Sequence, residues 1–274
     1  MKPADFTYHR PDTVAEVTDL LSRLDDAKVL GGGQSLLPIM NMRLASPSHL
    51  VDLTAIRALR QFSETESGIR YGATTTHMMI EDQLVPDVTR GLLPHAASGI
   101  GYRAIRNRGT VAGSLAHADS SAEWPTVMSA VDATVQAASI RGVRPIPVRE
   151  LLQGFFTTAL DEDEFIIGVD VPRFAPDTRW GLYKMARKPG EFAESLAVAL
   201  VRTDGVELWL GAARDVPIRL PNVEQALHAA GALELSELAE AVGADTGREG
   251  HHRQLHAVTV QRALQAAHQE ATRV

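Results

Sequence analysis

The chain has 274 residues, enough for one large domain or two ordinary ones, with 45% hydrophobic and 22% charged residues, a globular balance. Its formal net charge is -7 and only 5% of its residues are aromatic, so it offers neither a basic footprint nor a stacking platform for nucleic acid. It contains no cysteine, which excludes disulfides, thiolate catalysis, zinc–thiolate sites and iron–sulfur ligation within this chain.

The first residues, with Lys2, Asp5 and Arg10, do not read as a signal peptide. Thr13 is placed to cap a helix over Val14–Leu24, where Val14, Val17, Leu20, Leu21 and Leu24 recur at helical spacing. Ala27–Leu30 reads as a short buried strand and runs into Gly31-Gly32-Gly33-Gln34-Ser35. Leu36–Met42 reads as a short helix interrupted by Pro38. His49–Asp52 and Gly68–Ala73 read as strands, Met78–Leu84 and Leu92–Ile100 as helices. Gly101–Ala118, with Arg103, Arg106, Arg108, Gly109 and Gly113, reads as loop. Glu123–Val135 reads as helix then strand.

A boundary is expected at Pro172–Asp177. Beyond it, strands are expected at Trp180–Met185, Leu196–Arg202 and Val206–Ala213. Helices are expected at Val223–Ala230, Leu233–Val242 and Val258–Ala271. Strands followed by helices indicate an α+β C-terminal domain. No apolar stretch approaches the roughly 18–20 residues that cross a bilayer, so a cytoplasmic protein is expected, attached to a membrane only through partners.

Two segments carry chemistry. Val29-Leu30-Gly31-Gly32-Gly33-Gln34-Ser35-Leu36 follows a strand and exposes successive backbone N–H groups. Without Cβ atoms the chain reaches positive φ and comes close to a ligand. Such an array near a helix start suits phosphate oxygens. A tight glycine turn without ligand is the plain alternative. The second segment, Arg106–Ser114, joins Thr110, Val111, Ala112, Gly113 and Ser114 to arginines. Two such loops suit the two phosphates of a dinucleotide. The chain has no G-x-x-x-x-G-K-[ST] P-loop, and the first loop is not a G-x-G-x-x-G fingerprint, because Leu36 stands where the third glycine would be.

Gly31–Leu36, Ile105–Thr110 with Gly113-Ser114, and Ala116–Asp119 resemble the FAD-binding medium subunit of molybdenum hydroxylases, the family of aerobic carbon monoxide dehydrogenase and xanthine dehydrogenase. Phe6–Pro11, Tyr183–Ala193 and Gln261–Leu264 fit the same family. The resemblance implies an α+β chain: a vanillyl-alcohol-oxidase-type FAD domain of two α/β subdomains over 1–175, then a small α+β domain over 176–274. It implies FAD contacts from Val29–Leu36 and Thr110–Ser114, with Ile100, Glu123, Ile166 and Lys184 as further contacts. Ala112 departs from the glycine of many relatives, and Ser120 from a frequent proline.

The resemblance also implies partners: a large molybdopterin-binding subunit that oxidises the substrate, and a small 2Fe-2S subunit, in a dimer of heterotrimers. FAD would pass electrons to an external acceptor such as NAD, oxygen or a quinone. Carbon monoxide, purines and nicotine-type heterocycles are all admissible substrates. No catalytic acid or base and no metal ligand is assigned to this chain. A stand-alone flavin oxidase and an interaction subunit without FAD are the rival classes.

Several residues have plain alternatives. Lys184 also reads as an exposed strand lysine, and Glu123 as a carboxylate complementing a helix start. Of Arg103, Arg106 and Arg108, at most one is expected at the cofactor. His117 reads as a packed histidine, and Asp119 as an N-cap or as a group that supports the site from behind. His252 and His256 read as a surface histidine cluster rather than a metal site.

Overall fold

A computed structural model describes residues 2–270. The first unit holds β1 (Thr7–His9), α1 (Val14–Arg23), β2 (Ala27–Leu30), α2 (Leu36–Asn41) and β3 (His49–Asp52). The strands form a parallel sheet ordered β1-β3-β2. The Thr13 hydroxyl caps α1 by accepting from the Glu16 N–H, and the Glu16 carboxylate accepts from the Asp12 N–H. Val17 and Leu21 bury the inner face of α1, two members of its apolar stripe.

The second unit holds β4 (Phe62–Glu64), β5 (Gly68–Gly72), α3 (His77–Glu81), α4 (Leu92–Ser98), α5 (Arg103–Arg106), α6 (Val111–His117), α7 (Glu123–Ala130), β6 (Thr134–Ser139), β7 (Gly142–Pro147), α8 (Val148–Leu151), β8 (Leu152–Gly154), β9 (Thr157–Thr158) and β10 (Phe165–Pro172). Five strands form an antiparallel sheet ordered β4-β5-β10-β6-β7, and β8 pairs with β9. The β10–β6 register shifts between Ile166 and Gly168, freeing the Ile167 carbonyl to accept from the Ala73 N–H at 3.1 Å.

The stretch 101–118, expected as loop, contains α5 and α6. Two local features override the glycines of this stretch. The Thr110 hydroxyl accepts from the Gly113 N–H at 3.0 Å, and Val111, Ala112 and Leu115 are buried. Ala118 ends α6 in the left-handed region, φ 52°.

The third unit holds β11 (Arg179–Met185), β12 (Ser195–Arg202), β13 (Gly205–Gly211), β14 (Ile218–Arg219), α9 (Pro221–Ala230), α10 (Leu235–Thr246) and α11 (Gly250–Glu270). The sheet is antiparallel, ordered β11-β12-β13-β14. β12 is buried on both faces. Val198 and Leu200 join the core shared with the first two units, while Ala197, Ala199 and Val201 join the core under α9–α11. The alternation is the period of two that a strand imposes, and it locks the third unit to the rest.

The final helix begins well before the expected Val258; the expected end, Ala271, lies outside the described residues. The expected surface histidine cluster is corrected. His252 is exposed, but His256 is 2% exposed and its Nδ1 lies 2.8 Å from the Ser195 Oγ. The helix turns this side chain inward between α11 and β12. Among the described residues no helix is long and apolar enough to cross a membrane.

Candidate FAD-binding cleft

A cleft of about 640 Å³ opens where the three units meet, and residues from β2, α6, β10 and β11 line it. It gathers Val29, Leu30, Gly31, Gly32, Gly33, Gln34, Ser35 and Leu36 from the first loop. Thr110, Ala112, Gly113 and Ser114 come from the second, with Ile100, Glu123, Ile166 and Lys184 around them. Val111 differs: its side chain packs in the core, and its N–H donates to the Thr75 carbonyl at 3.3 Å. As the first residue of α6 it points away from the cleft that its neighbours face. A larger and more open hollow, about 1180 Å³, lies elsewhere, beside Arg57 and Phe62.

The two loops touch each other. A Cβ on Gly32 would lie 2.1 Å from the Arg108 carbonyl oxygen, and one on Gly31 would lie 3.3 Å from the Thr110 Oγ1. Gly33 has φ +72°, the left-handed conformation that glycine adopts without cost. The backbone N–H groups of Gly32, Gly33, Gln34 and Ser35 have no acceptor among the described residues. The Ala112 N–H, in the first turn of α6, is likewise free. Open donors on a loop whose Gly32 admits no side chain fit a pyrophosphate, and the apolar walls from Val29, Leu30, Ile100 and Ile166 fit flat rings.

Opposite the loops, Lys184 on β11 meets Glu123 at the start of α7. Nζ donates to Glu123 Oε1 at 2.6 Å and to the Gly99 carbonyl at 3.2 Å. Their side chains are 13% and 4% exposed. Lys184 is therefore not an exposed strand lysine. Burial pushes the Glu123 carboxyl up, and the adjacent Lys184 ammonium opposes that push.

Two of the three arginines are occupied. Arg106 donates to both Glu81 carboxylate oxygens and to the carbonyls of Ile100 and Gly101; Arg103 pairs with Glu81 and Asp82. Arg108 is exposed and does not line the cleft. His117 stacks on Phe156, 4.7 Å between ring centres, and also lines the cleft. Asp119 accepts from the Ser121 N–H through Oδ1 and lines the cleft as well.

His77 and Phe156 line the cleft without any signal in the sequence, and Phe192 does so from the Tyr183–Ala193 stretch that fits the family. His77 sits one residue before the expected helix at Met78, and nothing local separates it from other histidines.

Residues 4–174 match the family model described as the FAD binding domain in molybdopterin dehydrogenase. The chain belongs to this family. It is 37% identical over 235 residues to the nicotine 6-hydroxylase medium subunit of Paenarthrobacter nicotinovorans, covering 83% of this chain and 82% of that one. A carbon monoxide dehydrogenase structure from Hydrogenophaga pseudoflava superposes with TM-score 0.90 at 32% identity, covering 98% of this chain and 99% of that one. Quinoline 2-oxidoreductase from Pseudomonas putida 86 gives TM-score 0.87 at 31% identity, with 98% and 99% covered. The chain is thus an FAD-binding oxidoreductase component of the molybdenum hydroxylase type, with the α+β fold of that subunit.

Proposed function

We propose that this chain is the electron-transfer FAD subunit of a cytoplasmic heterotrimeric molybdenum hydroxylase, assembled as a dimer of heterotrimers. A small 2Fe-2S subunit delivers electrons, and a large molybdopterin subunit oxidises the substrate. Residues 1–175 form the FAD domain and 176–274 the C-terminal domain. The observation that carries this reading is the pair of glycine loops in contact, with free N–H donors above an apolar cleft. A relative named for nicotine shares this sequence pattern, and structures named for quinoline and carbon monoxide share this fold. Such unlike substrates under one subunit type support a substrate site on another chain.

When bound, FAD supplies a junction between one-electron and two-electron transfer to an acceptor such as NAD, oxygen or a quinone. The chain's own residues hold and tune it. The N–H groups of Gly32–Ser35 and Ala112 bind the phosphates, with the Ser35 and Ser114 hydroxyls as further donors. Val29, Leu30, Leu36, Ile100 and Ile166 exclude water from the rings. Thr110 acts by capping α6 and so fixing the second loop. Lys184 and Glu123 present one buried ion pair to the cleft, a fixed dipole whose placement biases the potential of a nearby ring.

The test is reconstitution of the purified chain with FAD, followed by gel filtration. Flavin absorbance that co-elutes at one equivalent, and is bleached by reduced small subunit, supports the reading. Turnover of a substrate by this chain without partners would instead make it a stand-alone oxidase. Failure to hold FAD even in the assembled complex would make it an interaction subunit only.

A further inference from the structure

We propose that His77 is a further FAD-binding residue, donating a hydrogen bond from its ring Nε2–H to a phosphate oxygen of the dinucleotide between the two glycine loops. The assignment rests on the cleft being the FAD site.

His77 opens α3, and its backbone is tied to the second loop. Its N–H donates to the Gly109 carbonyl at 2.9 Å, beside the bridge between Thr76 and Thr110. The Thr76 hydroxyl caps the helix by accepting from the Met79 N–H. The position of the ring is therefore set by the loop it faces.

The ring is also fixed in its tautomer. Trp124, 0% exposed, donates its Nε1–H to His77 Nδ1 at 2.9 Å. An indole N–H only donates, so Nδ1 carries a lone pair and the proton of the neutral ring sits on Nε2. Burial, helped by the Arg106 guanidinium, pulls the His77 pKa down to about 4. The ring is neutral at physiological pH and presents one N–H in a set direction.

That N–H has no protein acceptor among the described residues, although His77 is only 5% exposed. The ring lines the cleft. Nε2 keeps access to the cleft, where a bound ligand can accept its hydrogen bond. Only glycine fits beside it: a Cβ on Gly109 would lie 2.6 Å from Nε2. Gly109 stands between Arg108, whose carbonyl abuts Gly32, and Thr110, whose hydroxyl abuts Gly31. Nε2 thus lies against Gly109, beside the corner where the two loops meet, the corner with the free N–H groups. A neutral donor there binds anionic oxygen with a strength that does not change across neutral pH.

The test uses the full chain labelled with ¹⁵N-histidine and stripped of FAD. Long-range ¹H–¹⁵N correlation is expected to show His77 as the Nε2–H tautomer, and FAD is expected to shift that nitrogen. The variant His77→Phe/Trp124→Phe removes both partners of the buried bond and keeps an aromatic ring at each position, smaller at 124. It is expected to bind FAD roughly tenfold or more weakly, as loss of a hydrogen bond to a charged group predicts. His77→Gln, which keeps a donor, is expected to recover part of that loss. An unmoved His77 nitrogen on saturation with FAD overturns the assignment, even if the double variant does not fold. So does equal FAD affinity in a folded double variant. Wild-type protein that binds no FAD in the assembled complex overturns the cleft itself, a distinct outcome.

Discussion

Gly32 lies so close to Arg108 that a Cβ on the glycine would sit 2.1 Å from the arginine's carbonyl oxygen. The obstacle is backbone, so no side-chain rotation relieves it. Gly32→Ala must separate the two loops. The expected cost is about 1–3 kcal/mol of stability, the range for overpacking a close contact. FAD affinity should fall at least tenfold with it. Gly99→Ala is the control: φ is -80° and the nearest obstacle lies at 3.5 Å, so it should be near neutral. Urea unfolding and flavin-fluorescence titration of the two variants check both statements.

Glu123 and Lys184 form a pair that cannot lose one member cheaply. Lys184→Met leaves a carboxylate 4% exposed beside an apolar helix start. Breaking a buried pair from one side costs about 3 kcal/mol or more. Glu123 responds by taking a proton, since burial already pushes its pKa up and Lys184 no longer opposes it. Adding Glu123→Gln to Lys184→Met removes the stranded charge and should restore part of the stability. Urea midpoints of the two singles and the double give the coupling. Additive losses would show that the pair is not coupled.

Sequence pattern alone carried much of this architecture, and the failures have physical causes. Thr13 and the apolar stripe of α1 were legible because cap and periodicity agree locally. α6 was not, because Gly109 and Gly113 read as loop while its support comes from the Thr110 hydroxyl and from burial of Val111 and Leu115. The cleft residues were named through family resemblance and the glycine runs. Val111 was drawn in with its neighbours, since a motif does not say which way each helix residue points. His256 misread for the same reason: its partner Ser195 is 61 residues away on β12. His77 gained its place from Trp124 and Gly109, both remote in sequence.

Gly181 on β11 offers a test of how the third unit is held. A Cβ there would lie 1.9 Å from the Ala263 carbonyl oxygen of α11. Gly181→Ala must push that helix off the sheet. A loss of about 1–3 kcal/mol is expected from this overpacking. Hydrogen exchange should speed up in α11 and β11, while the amides of α1 stay protected. Uniform acceleration across the chain would mean that the third unit has no independent opening.

Acid should weaken the fold before its carboxylates titrate. Burial pulls the pKa values of His77 and His256 down to about 4 in the folded chain, with His252 and Arg248 adding to the effect at His256. In the unfolded chain each returns to about 6.5. Unfolding therefore takes up protons between these values. The stabilisation from keeping the rings neutral is complete above about pH 6.5 and is lost as pH falls toward 4. His95 and His117, also lowered by burial, add to the trend. Glu81, Asp82 and Glu164 are lowered by arginine partners and contribute only further down, while buried Glu123 works in the opposite sense. Each fully neutral histidine changes the unfolding constant by about tenfold per pH unit in this window. Urea unfolding at about pH 7 and about pH 5 measures the slope, and His256→Gln should reduce it by close to one proton. A slope unchanged by that substitution would mean that His256 titrates normally in the fold, against its burial beside Ser195.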